Sequence, residues 1–237
     1  MKVVGIIPSR YKSTRFPGKP LADILGKSMI QRVYEQCKKC SLLTEVIVAT
    51  DDKRIFNHVL GFKGKAVMTS ETHESGTDRC NEVAQKFYAN YDLTVNIQGD
   101  EPFIKPEQIS ELITLFNSPE IKIGTLAKRI NNLDVLKDKN CTKAIFNKDG
   151  KALNFCREIS SFSKEQSYFK HIGIYAYKTK ALAEICKLIQ SKNEKKENLE
   201  QLRWIDNGHE IKVGVTAFES LSVDTPDDIL RIEAKMI

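Results

Sequence analysis

Arg10, Arg15 and Lys19 recur every four or five residues in the segment Ile6-Ile7-Pro8-Ser9-Arg10-Tyr11-Lys12-Ser13-Thr14-Arg15-Phe16-Pro17-Gly18-Lys19-Pro20. Guanidinium forks grip phosphate oxygens in pairs, and a lysine adds a mobile point charge, so three spaced cations suit a triphosphate. Gly18, between two prolines, lets the backbone come close to a ligand. The segment lacks the G-x-x-x-x-G-K-[ST] pattern of a Walker loop, so the phosphate grip would come largely from side chains. Charge spacing alone leaves a basic, solvated turn as the alternative.

Two acidic positions extend this chemistry. Asp100 in Gln98-Gly99-Asp100-Glu101-Pro102 follows the apolar run Val95-Asn96-Ile97, and Asp224 in Val223-Asp224-Thr225-Pro226 precedes a helix start. Carboxylates beside a triphosphate suit Mg2+, a hard ion that takes one or two protein carboxylates together with phosphate oxygens and water. The bland reading is aspartate in its common places, at turns and before helices.

These residues need a scaffold that delivers them to one edge. Val3 to Ile7 reads as a buried strand, and Pro8 forbids ordinary ladder pairing, so the basic loop is expected to begin there, at a strand's carboxyl end, where open α/β sheets bind ligands. Strand-like runs then alternate with helical ones: a helix from about Ser28, Val46 to Ala49, a helix from about Asp51, Ala66 to Met68, a helix from about Thr77, Val95 to Ile97 and a helix opened by Pro106. The first half therefore reads as βαβ units around a parallel sheet.

Beyond Ile121 the pattern changes. Gly124 to Ile130, Thr142 to Phe146 and Ala152 to Phe155 read as successive strands, the last two joined by an Asn147-Lys148-Asp149-Gly150 turn, which predicts an antiparallel excursion. A polar loop around Ser160 to Gln166, a strand from Ile172 to Tyr177, two helices across Thr179 to Asn207 and a strand from Ile211 to Ala217 follow. A capping box with proline, Thr225-Pro226-Asp227-Asp228, opens a final helix.

The chain has 237 residues and a formal net charge of +6. That length fits one α/β domain, residues 1–237, with an excursion over about 121–178. No apolar run approaches the roughly 20 residues that span a bilayer, and the start Met1-Lys2-Val3 lacks a signal-peptide pattern, so a cytoplasmic protein without membrane insertion is expected. The lysines are dispersed and interleaved with glutamates, which argues against nucleic acid as partner. Cys37-Lys38-Lys39-Cys40 ends an amphipathic helix with no second ligand pair at zinc spacing, and all six cysteines read as reduced residues.

Several motifs in register resemble the 3-deoxy-manno-octulosonate cytidylyltransferase (CMP-Kdo synthetase) family: Pro8 to Leu21, Ala49-Thr50-Asp51-Asp52, His73-Glu74-Ser75-Gly76-Thr77-Asp78-Arg79, Asn96 to Pro102, His171-Ile172-Gly173-Ile174-Tyr175, Leu199-Glu200-Gln201-Leu202-Arg203 and Val223 to Asp228. The resemblance implies a Rossmann-like nucleotidyltransferase fold, mostly parallel, with the antiparallel excursion used in sugar binding and dimerisation. It implies a homodimer that joins CMP from CTP to the anomeric hydroxyl of Kdo for lipopolysaccharide biosynthesis. Carried over by motif, Arg10, Ser13, Arg15 and Lys19 would hold the triphosphate, and Ser75, Gly76, Thr77 and Arg79 the cytosine and ribose. Asp100 and Asp224 would bind Mg2+, with Arg10, Arg15, Lys19 and Asp100 carrying the catalysis.

The same resemblance turns Gln98, Arg157, His171, Tyr175, Glu200 and Gln201 toward the sugar acid. Arg157 suits the sugar carboxylate, and His171 is implied as a ligand contact rather than a general base. By pattern alone Glu200 and Gln201, mid-helix among many charges, read as solvent-facing. One departure is visible: the isoleucine-proline pair that the family usually carries after a Phe-Cys-Arg motif is absent, and Glu158 to Ser163 leads quickly to His171. A related 3-deoxy-2-ketoacid sugar, such as 8-amino-Kdo or a nonulosonate, is the alternative acceptor, and a non-catalytic nucleotide-binding homologue the alternative class.

Overall fold

The structure, a computed structural model, describes residues 1–12, 16–159, 163, 166–219 and 221–236. The chain packs as two compact units, residues 1–110 with 219–237 and residues 111–218.

The first unit opens with β1 (Val3–Ser9), followed by the short pair β2 (Asp23–Ile24) and β3 (Lys27–Ser28), then α1 (Met29–Lys38), β4 (Glu45–Thr50), α2 (Lys53–Gly61), β5 (Ala66–Met68), α3 (Gly76–Phe87), β6 (Leu93–Asn96) and the start of α4 (Pro106–Thr114). β6, β1, β4 and β5 lie side by side, and every pairing among them is parallel. Val3, Val4, Ile6, Ile7, Val48 and Ala49 are buried, as a parallel strand covered on both faces requires. The starts of α1, α2 and α3 are capped by side chains: Ser28 accepts the Gln31 N–H, Asp52 that of Arg54, and Ser75 that of Asp78. Met29, Ile30, Val33, Tyr34 and Cys37 form the buried face of α1, so the C-x-x-C cysteine Cys37 is core.

The strand order makes β1 a topological switch point. The chain leaves β1 toward β4 on one side and returns as β6 on the other, so the loops after β1 and β6 face a common crevice. Contrary to expectation, β1 continues through Pro8, which pairs in register with Ala49, and Ser9 with Thr50. The reason is alternation. Ile6 turns its carbonyl toward β6, accepting the Ile97 N–H at 2.9 Å, and Pro8, two residues on, turns the same way. The β1–β6 ladder ends at Ile6, so the missing N–H of Pro8 falls where no partner strand requires it.

The second unit holds β7 (Ile123–Arg129), α5 (Leu133–Lys137), β8 (Lys143–Phe146), β9 (Ala152–Cys156), β10 (Phe169–Lys178), α6 (Thr179–Ile185), α7 (Lys192–Glu197), α8 (Gln201–Asp206) and β11 (Lys212–Thr216). β7 pairs antiparallel with β10 and parallel with β11, while β8 pairs antiparallel with β9 and touches β10 through Lys143 and Lys170. The expected excursion is thus built as antiparallel strands. The turn between β8 and β9 ends on Gly150 at φ 74°, a left-handed position that glycine adopts freely.

Where two helices were expected over 179–207 there are three. Ser191 and Glu194 form a capping box for α7, and Asn198, left-handed at φ 55°, ends it. Glu194, 6% exposed, takes a two-pronged ion pair from Arg203 at 2.8 and 2.6 Å, which fixes α7 against α8.

The chain re-enters the first unit with α9 (Pro226–Met236). Ile229 and Ile232 pack with Ile24, Met29 and Val223, and Phe16, Ala22 and Phe103 border that cluster. The Asp228 carboxylate accepts the N–H groups of Asp224 at 3.0 Å and Thr225 at 2.9 Å. Burial raises its pKa, but these hydrogen bonds prevail and hold it below the usual aspartate range. The predicted capping box therefore also sets the backbone at Asp224.

Candidate active site

A cavity of about 270 Å³ opens at the carboxyl ends of β1 and β6, wholly within the first unit. Its walls include Arg10, Lys19, Ser75, Gly76, Arg79, Gln98, Asp100 and Asp224. Eight of the residues singled out from sequence therefore meet in one place. Thr77 is buried and is not among the described lining residues. Ser13 and Arg15 lie outside the described residues.

Lys19 is the hub. Its ammonium donates to Asp100 Oδ2 at 2.7 Å and to the Val223 carbonyl at 2.9 Å, and it stands 3.8 Å from Asp224 Oδ1. The backbone closes the same junction, since Val223 N–H donates to the Asp100 carbonyl at 2.9 Å. Two carboxylates from distant stretches thus converge on one cation. Hard oxygen donors so arranged fit a divalent ion. Among the described residues no group of three or more His, Cys, Asp or Glu forms a cage, so phosphate oxygens and water would complete the shell.

The opposite wall is the N-terminus of α3, whose orphan amides and dipole favour an anion. Gly76 permits this approach: a Cβ there would stand 3.1 Å from Pro8 Cγ. Gly99 is tighter, because its Cβ would meet Ser9 Oγ at 2.9 Å and the Pro8 carbonyl at 3.0 Å. The backbone bearing Asp100 is pressed against the end of β1, a contact only glycine allows.

Arg79 is 3% exposed. It donates to Thr69 Oγ1, to the Ser70 carbonyl at 3.3 Å and to Asp51 Oδ2 at 2.7 Å. It therefore ties the ends of β4 and β5 to α3 as well as lining the cavity. Glu82 performs a similar task for the loop before α3, accepting Ser70 N–H at 2.9 Å, His73 Nε2 at 2.5 Å and Lys86 at 2.6 Å. Burial opposes its charge, yet these bonds outweigh it and hold the carboxyl at about 2. Ser9, His73, Glu74 and Gly99 line the cavity too. Sequence reasoning placed them in motifs without roles; the adjacency of His73 and Glu74 to the Ser75 cap was the available signal.

The second unit brings together three of the remaining candidates, His171, Tyr175 and Glu200. His171 lies 5.0 Å from the Phe155 ring and 5.4 Å from that of Tyr175, and Tyr175 meets Trp204 edge-on at 5.1 Å. Burial holds the imidazole neutral, its pKa down at about 3. Its Nε2 lies 3.0 Å from the Thr125 hydroxyl, which also reaches the Ile174 carbonyl at 2.8 Å. A neutral ring keeps one nitrogen as an acceptor and is a poor base. Burial, with the negative charge of Glu200, lifts the Tyr175 phenol well above its ordinary value. Glu200 precedes α8 and Gln201 begins it, 5% exposed. Gln201 thus differs from its solvent-facing pattern because α8 starts there instead of continuing α7.

Arg157 directly follows β9. Its Nε donates to the Glu197 carbonyl at 3.0 Å and Nη1 to the Lys139 carbonyl at 3.3 Å. Its own carbonyl accepts from Lys143 at 2.8 Å.

The sequence matches the family described as Cytidylyltransferase over residues 4–211. A 3-deoxy-manno-octulosonate cytidylyltransferase of Parabacteroides distasonis is 51% identical over 97% of this chain and 96% of its own length. Another, of Bacteroides thetaiotaomicron, is 48% identical over 98% and 97%. Among solved structures, CMP:2-keto-3-deoxy-manno-octonic acid synthetase complexed with CTP superposes with a TM-score of 0.94 at 39% identity, covering 100% of this chain and 98% of that one.

Proposed function

The chain belongs to the cytidylyltransferase family, and from that premise we infer that it transfers CMP from CTP to 3-deoxy-manno-octulosonate, giving CMP-Kdo and pyrophosphate. The observation that carries this reading is the convergence of Lys19, Asp100 and Asp224 opposite the α3 N-terminus, in a cavity that Arg10 also lines. It combines cations for a triphosphate with carboxylates for the ion that accompanies it.

In the reaction the anomeric hydroxyl oxygen bonds to the α-phosphorus, the bond to the bridging oxygen of the pyrophosphate breaks, and the hydroxyl proton leaves to solvent. Little covalent work falls to the protein, so its task is alignment and neutralisation of charge. Arg10 and Lys19 hold the leaving phosphates. The α3 amides around Gly76 favour the remaining anionic oxygens, and Arg79 keeps that wall rigid. Asp100 and Asp224 would hold Mg2+, which when bound neutralises phosphate charge and lowers the pKa of the sugar hydroxyl.

In the second unit, the neutral His171 ring, Tyr175 and Glu200 offer acceptors and a phenol to the sugar's hydroxyls, and Arg157 suits its carboxylate. We assign the reaction to lipopolysaccharide biosynthesis in the cytoplasm, by a homodimer that uses the antiparallel strands. CTP is an intracellular metabolite, and among the described residues no helix is long and apolar enough to cross a membrane.

The test is pyrophosphate release with Mg2+ and each of CTP, UTP, ATP and GTP, against Kdo, its 8-amino analogue and N-acetylneuraminate. Release with CTP and Kdo alone is expected. Release with CTP and another acid would replace the acceptor, and none with any pair would overturn the reading.

A further inference from the structure

Arg10 and Lys19 line one cavity although eight residues of sequence separate them. The residues next to them show how the two are brought together. Gly18 N–H donates to the Tyr11 carbonyl at 2.9 Å. Gly18 is left-handed at φ 74°, and a Cβ there would stand 3.0 Å from Tyr11 Cζ and 3.1 Å from its Oη. The Tyr11 ring therefore lies on the glycine's α-carbon, and the clasp has both a main-chain and a side-chain half.

The ring is held in turn. The Arg54 guanidinium carbon stands 3.3 Å from the Tyr11 ring centroid, within cation–π range. Arg54 cannot swing freely, because Asp52 accepts its Nε at 2.9 Å and its Nη2 at 2.7 Å. Asp52 is itself fixed as the cap of α2, accepting the Arg54 N–H at 2.9 Å. An unbroken series of contacts thus runs from the first turn of α2, through Asp52, Arg54 and Tyr11, to Gly18.

We propose that Tyr11, held by Arg54, is a positioning residue for nucleotide binding: it clasps Gly18 and thereby sets the separation of its neighbour Arg10 from Lys19. This rests on the reading of Arg10 and Lys19 as the triphosphate-binding side chains. Without the ring, Gly18 keeps one hydrogen bond but loses the surface that fixes its direction, and the two cations no longer match the spacing of the phosphates. The effect should fall on CTP and spare the sugar acid. A surface stacking contact of no consequence for function would alter neither.

The test uses the full chain, with CTP binding measured by titration calorimetry and KM for CTP and Kdo from pyrophosphate release. Tyr11→Ala is expected to weaken CTP binding about ten-fold, the scale of a modest misplacement of binding groups, with KM for Kdo unchanged. Tyr11→Phe keeps the ring and restores CTP binding. Arg54→Ala, a change at a side chain 59% exposed, should weaken CTP binding about three-fold, as an exposed cation–π contact allows. It should add nothing in a Tyr11→Ala background, because it acts through that ring. Equal effects of Arg54→Ala in both backgrounds, or unchanged CTP binding in Tyr11→Ala, would overturn the proposal alone. A wild-type chain that binds no CTP would overturn the reading of the loop and the proposal with it.

Discussion

The Lys19 ammonium sits 2.7 Å from Asp100 Oδ2 and is only 16% exposed, so the residue we propose as a phosphate ligand is paired with the carboxylate we propose as a metal ligand. With Asp224 at 3.8 Å from the same nitrogen, one cation screens two carboxylates that would otherwise repel each other.

Asp100→Ala should therefore lower kcat by at least about a hundred-fold, the loss typical when a preorganised charge at the reacting phosphate is removed. The side chain is 29% exposed, so folding should survive. Pyrophosphate release beside an unchanged circular dichroism spectrum makes the check, and wild-type turnover would sink the metal assignment.

Lys19→Met separates the two roles of the lysine. It removes the proposed phosphate ligand, so KM for CTP should rise. It also leaves Asp100 and Asp224 without their shared counter-charge, so the nucleotide-free protein should bind Mn2+ more tightly than wild type does. Electron paramagnetic resonance of free Mn2+ reads the second effect without turnover; equal affinities would show that the lysine does not compete for the carboxylates.

Gly99→Ala tests the scaffold beneath the site. Because the added methyl would lie 3.0 Å from the Pro8 carbonyl, the backbone carrying Asp100 must shift by a few tenths of an ångström. A main-chain atom cannot step aside as a side chain can. The expected result is a drop in kcat/KM of about ten-fold or more with a small fall in melting temperature, and full activity would show that the loop tolerates displacement.

Arg157→Ala addresses the sugar. If its guanidinium engages the acceptor's carboxylate, KM for Kdo should rise more than KM for CTP. Because Arg157 also ties β9 to the Glu197 and Lys139 carbonyls, Arg157→Lys, which keeps a charge but not the fork, is the informative companion. Equal changes in both constants would reduce the residue to its structural part.

Much of this is legible in the amino-acid sequence. The alternation of apolar strand-like runs with helical ones located β1, β4 and β6, and the parallel order follows from the helices between them. The basic loop and Asp100 could be placed at one edge because both follow buried strands. Other features depend on contacts between distant segments, which no local pattern carries. Pro8 stays in β1 because the neighbouring ladder happens to end at Ile6, and Gln201 is buried because α7 stops at a left-handed Asn198. Arg79 looked like a ligand contact by motif, yet its partners Thr69, Ser70 and Asp51 give it an internal structural duty as well.

The neutral His171 makes stability depend on pH in a definite direction. Its folded pKa of about 3 lies below the unfolded value near 6.5, so below that value the unfolded chain binds a proton that the folded chain refuses. Stability from this residue is intact above about pH 6.5 and is lost as the pH falls toward 3, roughly 2 kcal/mol of it between pH 7 and pH 5. Denaturant unfolding at those two values measures the loss. In His171→Gln, which has no proton to gain, the difference between pH 7 and pH 5 should shrink by that amount. Were the two proteins to lose stability in parallel, the imidazole would not be held neutral by its burial among Phe155, Tyr175 and Thr125.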